Sequence, residues 1–206
     1  MMGDGSVAFD PGDLPPIDGY KLLTGLVVPR PIGWIGTRAP DGTANLAPFS
    51  FFNAVAATPP ILVFSPMGPS HTPKDTLANV RATRVFTHNV VTEDVMEAMN
   101  LTAANLAAHE DEFEHAGLTA VPSDLIDAPR VGEARASFEC RVLQILELGR
   151  PPMSGNLVVG EVIRIHIDPD LLDGTRIRQD ALGAVGRMAG MEYTHTTDLF
   201  SITRPR

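Results

Sequence analysis

The chain has 206 residues, 44% of them apolar and 20% charged, with a formal net charge of −9. That length and apolar share suffice for one domain with a sizeable core, and the acidic balance argues against a phosphate-backbone partner such as nucleic acid. Cys140 is the single cysteine, which excludes an intramolecular disulfide and a multi-cysteine zinc site and makes the cytoplasm the expected location.

We expect one domain over residues 1–206, with residues 1–19 as an N-terminal extension. The opening MMGDGSVAFDPGDLPP has neither the basic start nor the continuous apolar run of a secretory signal. No long uncharged apolar run follows, so no transmembrane helix and no membrane partner are expected. The first predicted element is a β-hairpin within Arg30 to Asn53, turning at Asp41-Gly42, a dipeptide suited to the positive φ of tight hairpin turns. One strand covers Gly33 to Thr37; the other runs into Pro48-Phe49-Ser50-Phe51-Phe52. Gly33 and Gly36 lack side chains, Pro48 removes a ladder donor, and Thr37, Asn45, Ser50 and Asn53 supply polar atoms. That mixture suits a backbone lying against a flat ligand.

Pro59 to Ser65 predicts a buried strand. After a loop through His71, Asp75 or Thr76 is expected to cap a short helix ending near Arg81. A strand from Val85 to Val91 precedes a helical region opened by Thr92 and Glu93, whose Val95, Met96 and Met99 share one face. The acidic stretch to His115 reads as helix plus surface loop. Ala136 to Leu148 and Asn156 to Asp168 would each span roughly 40 Å as strands, so they predict bent or bulged strands of a closed or nearly closed sheet. A turn at Asp173-Gly174, a short helix around Asp180 to Val185 and a basic end at Arg204-Pro205-Arg206 complete the chain. In IRIHID, Arg164, His166 and Asp168 share one face and Ile163, Ile165 and Ile167 the other. With the isoleucines turned to the core, His166 is expected to be a hydrogen-bonded interface histidine. These patterns define a β-rich α+β fold.

The Arg30 to Asn53 segment is followed in order by KDTLANV from Lys74, DEFEHAGL from Asp111, FEC from Phe138, GEVIRIHID from Gly160 and GRMAGMEY from Gly186. Together they resemble the flavin reductase-like family, the FMN-binding split β-barrels that include flavoredoxin and the reductase partners of two-component monooxygenases. The resemblance implies a six-stranded split β-barrel with short flanking helices, a homodimer, and FMN, with FAD as the other flavin, bound as cofactor. It further implies NAD(P)H as substrate and hydride transfer to flavin N5, the activity of an NAD(P)H:flavin oxidoreductase, with a monooxygenase as a further partner. The ring wall and edge would come from Trp34, Ile35, Gly36 and Thr37 and from Ala47, Pro48, Phe49, Ser50, Phe51 and Phe52. Lys74, Asp75 and Thr76, at a helix start, would face the phosphate. Arg187 and Tyr193 resemble an arginine and tyrosine near the flavin or the subunit contact, and Ala189 stands where the family commonly carries glycine.

Local pattern leaves alternatives open: Phe49, Phe51 and Phe52 as core, and Lys74-Asp75-Thr76 as a solvated helix start. His109 to His115 carries two histidines and four carboxylates without the spacing of a zinc protease helix, so an acidic solvent face and no metal are expected. Cys140 reads as a small buried residue. No G-x-G-x-x-G follows a strand and no P-loop occurs, so a nicotinamide would bind over the flavin. No residue is assigned as a catalytic proton donor. An FMN electron carrier of the flavoredoxin type, and a β-barrel for another planar ligand such as heme or pyridoxal phosphate, fit the same residues.

Overall fold

The computed structural model describes residues 5–68, 74–107 and 110–205; the expectations placed on His71, His109 and Arg206 lie outside them. Helix α1 (Pro16–Leu26) begins inside the expected N-terminal extension. Its Tyr20 ring meets Phe51 edge-on, with centroids 6.4 Å apart. The Arg30 guanidinium donates to the carbonyls of Thr24 at 2.5 Å and Val27 at 2.6 Å, which satisfies the end of the helix.

Strands β1 (Gly33–Arg38) and β2 (Ala44–Phe49) form the expected hairpin, with Gly42 at φ 98° in its turn. The chain continues through β3 (Phe52–Ala57), β4 (Pro60–Phe64), α2 (Asp75–Thr83) and β5 (Val85–Asn89). A 3-10 turn leads into α3 (Met96–Leu101), followed by α4 (Glu112–Ala116), β6 (Ala120–Val121) and β7 (Arg130–Val131). The long strands β8 (Ala136–Leu148) and β9 (Gly155–Ile167) come next, then the small hairpin β10 (Leu172–Asp173) and β11 (Arg176–Ile177). Helix α5 (Gln179–Leu182) precedes a last hairpin of β12 (Val185–Arg187) and β13 (Tyr193–His195).

Seven strands make one antiparallel sheet in the order β2-β1-β5-β8-β9-β4-β3. Its edges, β2 and β3, are joined by Ser50 and Phe51 alone. The three steps from Phe49 to Phe52 reach only about 10 Å, far less than the width of a flat seven-stranded sheet, so the edges must come together and the sheet must close. In effect β2 and β3 are one strand bent at Ser50-Phe51, which reconciles seven strands with the six expected of the barrel. The bulging expected of the long strands is present: the β8/β9 register shifts between Glu139 and Cys140 and again between Val142 and Gln144.

Alternation along β1 and β2 separates two cores. Ile35 and Phe49 enter the barrel with Leu62, Phe64 and Phe86, where Phe64 packs 5.3 Å from Phe49 and 5.0 Å from Phe86 between ring centroids. Trp34 and Leu46 face the other way, under Met99 of α3 and Phe113 of α4.

Three expectations change. The isoleucine row does not face the core: Ile163 and Ile167 are half-buried and Ile165 is 48% exposed, while His166 is hydrogen-bonded as expected, to Glu139. Asp75 and Thr76 do not cap α2, because the capping position is Lys74 and both residues lie inside the helix. The glycines of β1 serve the chain's own packing: a Cβ on Gly36 would lie 2.4 Å from the Pro129 carbonyl oxygen, and one on Gly33 would lie 2.5 Å from the Phe52 ring. We expect Gly36→Ala to lose about 1–3 kcal/mol of stability in urea titration without any flavin present. An unchanged midpoint would show that the backbone there has room to spare.

His88 is buried between the rings of Phe52, 4.4 Å away, and Phe138, 5.4 Å away and nearly parallel. Its Nδ1 has no hydrogen-bond partner, and burial pushes its pKa down to about 3. An unfolded imidazole protonates near pH 6.5, so between these values only the unfolded state takes up the proton. The stability His88 contributes is therefore complete above about pH 6.5 and is lost as the pH falls toward 3, by up to roughly 5 kcal/mol. His88→Phe should flatten the stability–pH curve across this window, and curves that stay parallel would contradict the assignment.

Candidate functional site

Helix α2 starts beside the β2 wall. Lys74 sits at its N-cap in an extended conformation and supplies no side-chain cap, so the first-turn N–H groups, the positive end of the helix dipole and the exposed Lys74 ammonium lie together. They border a cleft of about 320 Å³. One wall is Ala47, Pro48 and Phe49; the opposite one is the segment from Thr102 to Leu106 after α3; Asn45 and Glu112 complete the lining.

The floor is a buried polar network. Glu112, 7% exposed, accepts from Asn45 Nδ2 at 3.0 Å and from the Leu46 N–H at 3.1 Å. Asn45 Oδ1 in turn accepts from Thr37 Oγ1 at 3.0 Å and Thr76 Oγ1 at 2.8 Å, while Asn79 Nδ2 donates to Thr37 Oγ1 at 3.1 Å. Burial pushes the Glu112 carboxyl above its ordinary range, with the Asp75 charge adding to the effect and the hydrogen bonds opposing it. Glu112 is thus the exception to the acidic solvent face expected here, since Glu110, Glu114 and His115 are exposed. Asp111 caps α4 by accepting from the Phe113 N–H at 2.7 Å, and the helix turns Glu112 and Phe113 inward together.

Of the residues predicted to contact the flavin, Ala47, Pro48, Phe49, Lys74, Asp75 and Thr76 line this cleft. Thr76 is 1% exposed and spends its hydroxyl proton on Asn45, which leaves backbone N–H groups and Lys74 to meet an anion. Trp34 is fully buried and its indole N–H donates to Thr102 Oγ1 at 2.9 Å, so its side chain belongs to the core. Ile35 lies in the barrel, Gly36 against Pro129, and Thr37 within the network. Ser50, Phe51 and Phe52 occupy the barrel-closing bend and do not line the cleft. Arg187 lines a different cleft of about 470 Å³ with Met96, Asn100, Leu101, Met191 and Tyr193. Its guanidinium lies 4.5 Å over the Tyr193 ring and bonds to the Tyr193 hydroxyl and the Gly190 carbonyl.

Sequence reasoning missed Glu112 and the Thr102–Leu106 wall. One signal was present: Asn45 shares the inward face of β2 with Ala47 and Phe49, and a buried amide requires partners.

Asp124, Glu139 and His166 bring three ligand-type atoms within 4.8 Å of one another. The fully buried Glu139 accepts from the N–H groups of Asp124 and Leu125, each at 2.8 Å, and bonds His166 Nε2 at 2.7 Å. Burial would raise this carboxyl, yet those hydrogen bonds hold it below its usual range. Cys140 is buried and burial pushes its thiol up, which leaves it without thiolate character.

An antiparallel barrel closed through a bent strand, with a cleft beside that strand, is the class of fold these elements define. The model of the flavin reductase like domain matches residues 25–182, and the chain belongs to that family. It is 37% identical over 200 residues to an uncharacterized protein of Halalkalibacterium halodurans, covering 95% of each chain. The crystal structure of nitrilotriacetate monooxygenase component B from Bacillus cereus superposes with a TM-score of 0.93 at 33% identity, covering 97% of this chain and 100% of that one. Pseudomonas fluorescens 2-nitrobenzoate 2-nitroreductase superposes with a TM-score of 0.87 at 31% identity, covering 97% and 96%. The fold is the split barrel of flavin reductases.

Trp34→Ala should cost about 3–5 kcal/mol of stability, with flavin affinity of the remaining folded protein changed little. Selective loss of affinity at full stability would return Trp34 to the site.

Proposed function

We propose that the chain binds FMN with its phosphate in the Lys74 cleft and catalyses its reduction by NAD(P)H. The observation that carries this reading is the α2 N-terminus, uncapped by the Lys74 side chain, meeting the Lys74 ammonium in a cleft walled by β2. The fit is supported by backbone donors and one cation for a phosphate, and by Ala47, Pro48 and Phe49 as a low-relief wall for a ring. The volume of about 320 Å³ lies at the lower end for small-molecule sites, consistent with a partner subunit completing it.

Bound flavin supplies the hydride-accepting ring. The chain's residues hold and orient: α2 anchors the phosphate end, β2 sets the ring plane, and the Thr102–Leu106 segment excludes water from the opposite side. Alignment of two flat partners demands placement more than a general base, in keeping with a cleft whose buried acid, Glu112, is engaged in hydrogen bonds.

The homodimer is part of this proposal. A folded monomer of 22.1 kDa exposes about 9,300 Å², whereas this chain exposes 12542 Å². Apolar residues lie in that excess, among them Leu26 of α1, Leu143 and Leu148 of β8, and Phe200 and Ile202 of the C-terminal segment. Obligate interfaces bury about 2,000 Å² or more in total, so a monomer in micromolar sedimentation with FMN bound would refute the dimer. The likeness to a monooxygenase component supports delivery of reduced flavin to a monooxygenase, and the lone, buried Cys140 supports a cytoplasmic location.

Purified protein should show flavin absorbance that bleaches on addition of NADH or NADPH. Retained FMN indifferent to both nicotinamides would make the chain an electron carrier of the flavoredoxin type. Lys74→Ala should weaken FMN roughly tenfold and leave riboflavin, which lacks the phosphate, nearly unaffected; equal weakening of both ligands would remove Lys74 from the phosphate site.

A further inference from the structure

Among the described residues, the cleft has an adverse charge balance for a phosphate. Against the one ammonium of Lys74 it sets the carboxyl groups of Asp75 and Glu112. Asp41, from the β1–β2 turn, and Glu110 share an adjoining pocket with both acids. Asp111, beside Glu112, is engaged with the Phe113 N–H. Thr102 to Leu106 and the β2 wall contribute no charge. Among the described residues these are the ionisable groups that face Glu112.

The acids differ in what they can do. Asp75 is exposed and can turn to water. Glu112 cannot, because both of its oxygens are tied to β2 through Asn45 Nδ2 and the Leu46 N–H. A phosphate dianion entering the cleft therefore meets a buried carboxylate, and repulsion between like charges grows where water is excluded. A proton on Glu112 removes that repulsion and costs little locally, since a neutral carboxyl keeps acceptor capacity for both bonds and gains an O–H donor. Burial and the charge of Asp75 already push this group toward its neutral form.

We propose that Glu112 is the proton-linked residue of the cleft, taking one proton from solvent when an organic phosphate binds and presenting the resulting O–H to it. This inference rests on the reading that the flavin phosphate enters here. The only bond formed is O–H, with the proton drawn from water or buffer. Affinity for FMN, but not for riboflavin, falls as the pH rises.

Calorimetric titration of the full chain with FMN, in buffers of different ionisation enthalpy between pH 6 and 8, counts the protons taken up. The phosphate's own second ionisation, near pH 6, contributes equally to the protein and to Glu112→Gln, so their difference isolates Glu112. The expected result is a larger uptake by the unmodified chain, approaching one proton, no such difference with riboflavin, and FMN affinity in Glu112→Gln equal or higher at pH 8. Infrared difference spectra of the unmodified chain with labelled glutamate provide a second measure that needs no variant: FMN binding should add the carbonyl band of a protonated carboxyl. Equal proton counts, or no such band, while Lys74→Ala still weakens FMN selectively, would overturn the role of Glu112 and leave the cleft assignment standing. Loss of that Lys74 selectivity would remove both.

Discussion

Ser50 and Phe51 are the only residues between the two edge strands of the sheet, and that short reach forces the barrel to close. Closure runs through the bend, and β2 and β3 each keep a ladder partner on one side only. It also explains why β8 and β9 carry register shifts, since thirteen-residue strands must bend to follow a closed sheet. Pro48 is tolerated because β2 has a ladder partner on one side only. The bend holds β2 where its inward face fills the barrel at Phe49 and its last residues border the cleft.

The second constraint is polar. Glu112, Asn45, Thr76, Thr37 and Asn79 link α4, β2, α2 and β1 through hydrogen bonds at the cleft floor. A network of this kind is rigid when every member is satisfied and costs about 1–3 kcal/mol for each group left without its partner. The floor is thereby stiff and the rim at Lys74 and Asp75 is exposed, an arrangement suited to a fixed platform with an adaptable anion contact. Residues 96–106 connect this cleft to the one holding Arg187, since Met96, Asn100 and Leu101 line the second and Thr102 to Leu106 the first. The Trp34 indole fastens that segment to the core at Thr102.

Much of the architecture was legible because it is local. Asp41-Gly42 specifies its hairpin through backbone preference, Val95 and Met99 mark a buried helix face through periodicity, and the excessive length of the two late strands announces bending. The order of short motifs identified the family, and the helix start carrying Lys74, Asp75 and Thr76 does border a cleft. What failed was direction. A strand places alternate residues on opposite faces but does not say what each face meets, so Trp34 entered the core, Gly36 met Pro129, and Ile165 turned outward.

By itself the sequence determined the hairpin, the β-rich class, the family and the anion-suited helix start, since each depends on residues close in the chain or on their order. Only the tertiary structure decided that Glu112, 67 residues from Asn45, lies beneath that helix start, and that Arg187 belongs to a separate cleft. The reason is physical: burial and pairing of polar groups depend on which distant segments close over them, and a one-dimensional pattern carries the need for a partner without its identity.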